Sequence, residues 1–274
     1  MAHSRRVAMV TEACGIGRAI ALRLAKDGFN IVINDLSRAA ETQKVIEDIE
    51  AFHPTLSSKK QLPVRSIAVQ GDASKIADGR RLLYETITAF GRLDILVFNA
   101  AWAKQASIRE LGEELFAKAI DTNVKGPLFL SKMAQPYLEK AQREGDAVKD
   151  GGSPVGGSRI INISSTVATM SDALDRMLLY SISKGGLDQI TRVLARDPDF
   201  GGKGINVNAV APGPVDTDSL KDLPLRMLSM LANSSPQKRL GRVDDIADVV
   251  SFLASNDSRW VNGHKINASG ASSV

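Results

Sequence analysis

Short runs of β-branched and other apolar residues alternate with segments whose apolar residues recur at helical spacing, and this alternation restricts the chain more than any other feature. The strand-like runs fall at residues 7–10, 31–33, 64–69, 95–98, 159–163, 205–210 and 264–267. Helical patterns cover 18–27, 39–52, 77–90, 111–142, 178–195 and 244–254, and Gly28 stops the first of them as a left-handed cap. Parallel strands need a crossover between them, and a sheet covered by such crossovers is buried on both faces. Strands that read as near-continuous apolar runs fit that arrangement. The predicted architecture is therefore α/β, a Rossmann-type doubly wound parallel sheet with helices on both faces, in a single domain over residues 1–274. No linker or internal repeat divides it. Two polar stretches read as surface insertions. One is 53–62. The other, 143–158, is so rich in glycine and charge that a mobile loop is expected there.

Composition removes several function classes. The single cysteine, Cys14, gives no disulfide framework and fits a reducing compartment. The net charge of +4 comes from 35 basic and 31 acidic residues that are interspersed, and Arg5-Arg6 is too short for a nucleic-acid arm. No apolar run approaches the roughly 18 residues of a membrane span, and the start of the chain has no cleavable signal pattern. A soluble, cytoplasmic protein with no nucleic-acid or membrane partner is expected. His3, His53 and His264 are scattered, so no metal site is expected. No phosphate-binding G-x-x-x-x-G-K-[ST] run occurs, and G-G-S-P-V-G-G-S at 151–158 lacks the strand-to-helix setting of a hydrolase elbow.

What remains is carried by motifs. The first strand runs into T-E-A-C-G-I-G-R-A-I (11–20), where glycines let the backbone approach a pyrophosphate at a helix N-terminus. Y-S-I-S-K (180–184) sets a tyrosine and a lysine four apart on one helix face. I-N-I-S-S (161–165) ends a strand in hydroxyls, and N-A-V-A-P-G-P-V-D-T (208–217) follows downstream. With G-D-A-S (71–74), F-N-A-A (98–101), N-V-K-G (123–126) and R-L-G-R-V-D-D-I-A-D-V-V-S-F-L-A-S (239–255) in the same order, the chain resembles the short-chain dehydrogenase/reductase family over essentially its whole length.

That resemblance implies an NAD- or NADP-dependent oxidoreductase acting on a CH–OH group. Tyr180 would be its acid/base, and Lys184 would lower the phenol's pKa and hold the nicotinamide ribose. Ser165 would hydrogen-bond the substrate oxygen, and Asn123 would kink a helix and anchor a relay water. Thr11, Gly15, Ile16 and Gly17 would line the cofactor's pyrophosphate. Asp35 would take the adenosine ribose, which slightly favours NAD, although Arg38 leaves a 2′-phosphate acceptable. Asp72 and Ala73 would meet the adenine and Asn99 the adenosine end. Lys132 would supply a basic group, or lie on a solvated helix face. Pro212, Gly213, Val215 and Thr217 would cover the nicotinamide amide and pyrophosphate.

Three departures from the family pattern stand out. The first turn is one residue short and carries Glu12 near the expected phosphates, N-N-A-G becomes F-N-A-A, and Ser165 lies two residues further from Tyr180 than is usual, so Ser164 is an alternative. The altered turn supports a second reading: a repurposed fold with weak or no cofactor binding, acting as a cofactor-free cyclase or isomerase, or as a binding protein. Residues 215–236 are expected as a lid whose leucines and methionines, with Trp102, Met170 and Met177, suit a lipophilic substrate. The same residues also suit packing onto the core or a neighbouring subunit. The resemblance further implies a homodimer or homotetramer.

Overall fold

The computed structural model describes residues 5–51, 63–147, 149–150, 153–154, 157–170 and 175–273. The expected insertion at 53–62 lies outside the described residues. Seven strands form one parallel sheet: β1 (Val7–Thr11), β2 (Asn30–Asp35), β3 (Ser66–Gln70), β4 (Ile95–Phe98), β7 (Arg159–Ile163), β8 (Asn206–Pro212) and β9 (Lys265–Ala268). Their order is β3-β2-β1-β4-β7-β8-β9. Between β4 and β7, a separate two-stranded ribbon pairs β5 (Lys149–Asp150) antiparallel with β6 (Ser153–Pro154). The helices are α1 (Gly15–Lys26), α2 (Ala39–Glu50), α3 (Ile76–Phe90), α4 (Glu113–Ile120), α5 (Gly126–Ala147), α6 (Leu178–Leu194), α7 (Leu225–Ser234) and α8 (Val243–Ala254). Every strand expected from the apolar runs is present, and Gly28 adopts the left-handed φ of +92° that ends α1.

The strands divide their side chains between two cores because successive residues face opposite ways. Ala8, Val10, Ile31, Ile33, Ile95 and Val97 pack with Leu24, Val45 and Val250 from α1, α2 and α8. Val7, Met9, Val32, Leu96 and Phe98 pack with Leu82, Leu130 and Leu194 from α3, α5 and α6. This is the doubly wound arrangement.

Two segments differ from expectation. The helix expected over 111–142 is broken into α4, a π-helical turn at Asp121–Lys125, and α5. Pro127, next to the turn, has no N–H to donate, and the Asn123 side chain is held from outside the helix. In place of a loop from residue 143, α5 continues to Ala147 and the β5–β6 ribbon follows. Charge there supports the helix rather than ending it, because Arg143–Glu139 and Lys140–Glu144 are ion pairs one turn apart.

Candidate active site

After β1 the chain crosses to β2 on one side, and after β4 it crosses to β7 on the other, so a crevice opens between the C-terminal ends of β1 and β4. Ligands of open α/β sheets bind at such a switch point. Thr11 ties the two strand ends together, its Oγ1 accepting from the N–H groups of Asn99 and Ala100, both at 3.0 Å. Asn99 donates from Nδ2 to the Glu12 carbonyl at 3.0 Å. Glu12 itself has a left-handed φ of 62°, which costs a side-chain-bearing residue about 1–2 kcal/mol. Its N–H donates to the Asn34 carbonyl at 2.6 Å. Its carboxylate accepts from the Ala101 N–H at 3.4 Å and from the Cys14 thiol at 3.3 Å. Burial pushes that thiol up to about 12, and the Glu12 charge adds to the rise, so Cys14 is a donor and no nucleophile.

The turn then enters α1. A Cβ on Gly17 would lie 1.8 Å from the Glu12 carbonyl oxygen, so glycine is required there. Gly15 faces Thr217: a Cβ added to it would lie 3.4 Å from the threonine methyl carbon. The segment after β8 therefore folds over the turn. Val215 anchors that segment in the core through a bridge to Gly241, and the Gly213 N–H donates to the Ala268 carbonyl at 3.3 Å. Helix α1 has no acidic residue in its first turn and no side-chain cap, and although the Gly17 N–H donates to the Cys14 carbonyl at 2.9 Å, the amides ahead of it, at Gly15 and Ile16, are placed for an outside acceptor. Such an end suits a phosphate.

The buried Asp35 ends β2. Its Oδ1 accepts from the N–H groups of Ser37 at 2.9 Å and Arg38 at 2.8 Å. Asp72, after β3, accepts from the Ser74 N–H at 3.0 Å and hydroxyl at 2.6 Å, and Ala73 packs against the core. With one misfit, the Glu12 carboxylate, these residues have the arrangement a dinucleotide needs: amides at a helix N-terminus, and a carboxylate at the end of the second strand.

The chemistry-bearing side chains lie on α6 and at the end of β7. Tyr180 is only partly exposed, and burial pushes its phenol up to about 12 against a downward pull from the neighbouring Ser165 hydroxyl. Lys184 is 1% exposed, with Nζ 5.7 Å from the Tyr180 ring centre. It donates to the Ile163 carbonyl at 2.6 Å. Burial pulls the ammonium down to about 8, opposed by the charges of Asp188 and Glu12. Ser164 faces elsewhere, its hydroxyl donating to Asp188 at 2.5 Å, so Ser165 is the serine at the phenol. Asn123, in the π turn, clamps the Trp102 backbone: Oδ1 accepts from its N–H and Nδ2 donates to its carbonyl, both at 2.8 Å. Nδ2 also reaches the Ser183 hydroxyl at 2.9 Å.

Comparison with known proteins agrees with this geometry. A family model described as enoyl-(acyl carrier protein) reductase matches residues 10–270. An uncharacterized oxidoreductase of Methylorubrum extorquens is 39% identical over 97% of this chain and 96% of its own length. A short-chain dehydrogenase/reductase of Pestalotiopsis microspora is 34% identical over 97% and 95%. This chain belongs to the short-chain dehydrogenase/reductase family. A short-chain dehydrogenase from Burkholderia cenocepacia, solved in complex with NADP, superposes with a TM-score of 0.81 at 31% identity over 97% of each chain.

Within the family's pattern, the structure brings Ser165, Tyr180 and Lys184 together. Around the crevice it arranges Thr11, Gly15, Ile16, Gly17, Asn99 and Thr217, with Pro212 ending β8. Lys132 stands apart, exposed on α5 with no hydrogen bond or ion pair to any of them. Burial is the larger influence on the phenol and raises it, and Lys184 gives one of its three N–H donors to the Ile163 carbonyl. Sequence reasoning also passed over Asp188, although its position four residues after Lys184 on the same helix face was a usable signal. Among the described residues, no helix is long and apolar enough to cross a membrane.

Proposed function

We propose that this oxidoreductase uses NAD or NADP to interconvert a carbonyl and an alcohol on a lipophilic small molecule, with Tyr180 as the acid/base. The observation that carries the reading is the meeting of Tyr180, Ser165 and Lys184. They sit on the side of the sheet's C-terminal edge where Glu12 of the crevice still acts on the lysine. Bound nicotinamide would supply or accept the hydride.

The phenol, raised to about 12, is in its acid form at neutral pH, the form that reduction of a carbonyl requires. Tyr180 would pass its proton to the substrate oxygen as negative charge develops there, while the Ser165 hydroxyl donates a second hydrogen bond to the same atom. Lys184 would hold a positive charge behind the phenol and donate to the nicotinamide ribose. Asn123, through its grip on Trp102, would fix the wall beside the substrate and anchor a water for proton resupply. The leading amides of α1 would take the pyrophosphate, Asp35 the adenosine ribose, and Asp72 and Ala73 the adenine. Pro212, Gly213, Val215 and Thr217 would form the cover.

Helix α7 supports an apolar substrate. None of its residues is buried, and Leu225, Met227 and Met230 are exposed, so it is not a helix packed onto the core. Exposed Phe116, Phe129, Ile182 and Val193 on α4, α5 and α6 support pairing of subunits through these helices.

The test is oxidation of NADPH and NADH, followed at saturating cofactor, over a series of ketones of increasing apolar size. Turnover with kcat/KM rising along the series supports the reading. No oxidation of either cofactor by any ketone removes it. The two serines give a sharper check. Ser165→Ala is expected to lower kcat by about a hundredfold, the scale of one donor to a developing oxyanion. Ser164→Ala, which leaves Ser165 in place, is expected to lower it by no more than about fivefold. The reverse ranking would assign the role to Ser164.

A further inference from the structure

Lys184 is buried, and among the described residues its hydrogen-bond partner is neutral, the Ile163 carbonyl at 2.6 Å. A buried ammonium is costly unless an opposite charge faces it. One turn along α6, Asp188 is 3% exposed, and its charge favours the ammonium from beyond ion-pair distance. Its two oxygens have different surroundings. Oδ1 accepts from the Ser164 hydroxyl at 2.5 Å. Oδ2 takes no hydrogen bond and faces Lys265 Nζ at 3.4 Å. Lys265 comes from β9, the last strand of the sheet, and also donates to the Thr169 hydroxyl at 2.7 Å, in the segment that follows Ser165. One partly buried ion pair thus joins the end of β7, the segment after it, β9 and α6, the helix that carries Tyr180 and Lys184.

We propose that the Asp188–Lys265 pair is a positioning element of this active site, which sets the charge environment of Lys184 and, through Ser164, pins the strand end that presents Ser165 to Tyr180. The inference rests on the assignment of Tyr180, Ser165 and Lys184 given above. Asp188 is the carboxylate on the lysine's own helix, and Lys265 is the cation that partly offsets it. The other groups that bear on Lys184 are Tyr180 on α6 and Glu12 in the first turn. Other charges on neighbouring elements are engaged or turned outward. Asp121 and Lys125 of the π turn pair with each other at 2.7 Å, Arg176 before α6 pairs with Glu110 at 2.8 Å, and Glu113, Glu114 and Lys118 of α4 are exposed. The described residues of β8 and of the segment 166–168 carry no charge. Two charges of opposite sign behind one lysine therefore make opposite predictions.

The experiment follows the Lys184 side chain by NMR in cofactor-free protein labelled at lysine Cε, with Lys184→Arg used to assign the signal. The wild-type lysine is expected to titrate near about 8. Asp188→Asn keeps the hydrogen bond from Ser164 and removes the charge, so the midpoint should fall by about one pH unit. Lys265→Met removes the offsetting cation, so the midpoint should rise. Ser164→Ala, which removes no charge, should leave it in place. Opposite displacements in the two charge variants support the proposal. Unchanged midpoints, or displacements in the same direction, overturn it, since disturbed packing has no sign. If Asp188→Asn does not fold, Lys265→Met decides alone, by rising or by staying put. No cofactor or substrate is present, so the outcome is independent of whether the protein proves to be a carbonyl reductase.

Discussion

Tyr180→Phe is expected to lower kcat/KM for carbonyl reduction by about a thousandfold, roughly 4 kcal/mol of lost transition-state stabilisation. The affinity for NADPH should stay within about twofold of wild type, because only the hydroxyl is removed. The ring stays in place beside Lys184, so the variant is expected to fold normally. The pH dependence of the wild type follows from the same groups. The phenol at about 12 remains protonated across the neutral and mildly alkaline range, whereas the ammonium of Lys184 is lost as pH rises through about 8. An alkaline fall in the reduction rate near pH 8 therefore reports Lys184, with activity present below that pH and declining above it. Steady-state rates of the wild type and the variant from pH 6 to 10 check both points. Retention of more than about a tenth of wild-type activity would remove Tyr180 from the acid role.

The sheet was legible in the sequence because its inner strands are buried on both faces and carry almost unbroken apolar runs. Val7–Thr11 and Arg159–Ile163 are buried at every position, and nothing local competes with that signal. Features decided by distant partners were less legible. The break at Asp121–Lys125 coincides with the Asn123 amide being taken by Trp102 and Ser183, neither of them close in sequence. Helix α5 continues through residues whose charge and glycine content suggest a loop, because its acidic and basic residues pair at helical spacing. The choice between Ser164 and Ser165 could not be made from spacing, since it turns on Asp188, which lies 24 residues further along the chain. The burial of the phenol was hidden for a related reason. A tyrosine four residues before a lysine says nothing about how deeply both are buried, and burial is the larger influence here.

Glu12→Gly is expected to tighten NADPH binding by about fivefold or more and to raise the melting temperature by roughly 2 °C. The first effect is electrostatic. The carboxylate lies between the ends of β1 and β4, held by the Ala101 amide and the Cys14 thiol, at the place where phosphates would approach the start of α1. Like charges about 4 Å apart repel by about 1 kcal/mol in bulk water and about 4 kcal/mol near a protein surface, so about fivefold is the lower bound. The second effect is conformational, because glycine adopts a φ of 62° without the penalty that Glu12 bears. Glu12→Gln separates the two: it should tighten binding through loss of charge and leave the melting temperature almost unchanged. Calorimetric titration of NADH and NADPH into all three proteins makes the comparison, and the ratio of the two cofactors tests the preference assigned to Asp35. Micromolar wild-type binding, tightened in both variants, means that the protein is a dinucleotide enzyme with a built-in brake on cofactor affinity. Equal binding in all three means that the carboxylate turns aside when the phosphates arrive. Binding absent in the wild type at millimolar cofactor and restored by Glu12→Gly would mean that this fold works without a dinucleotide, leaving Tyr180, Ser165 and Lys184 to act as a cofactor-free acid/base site.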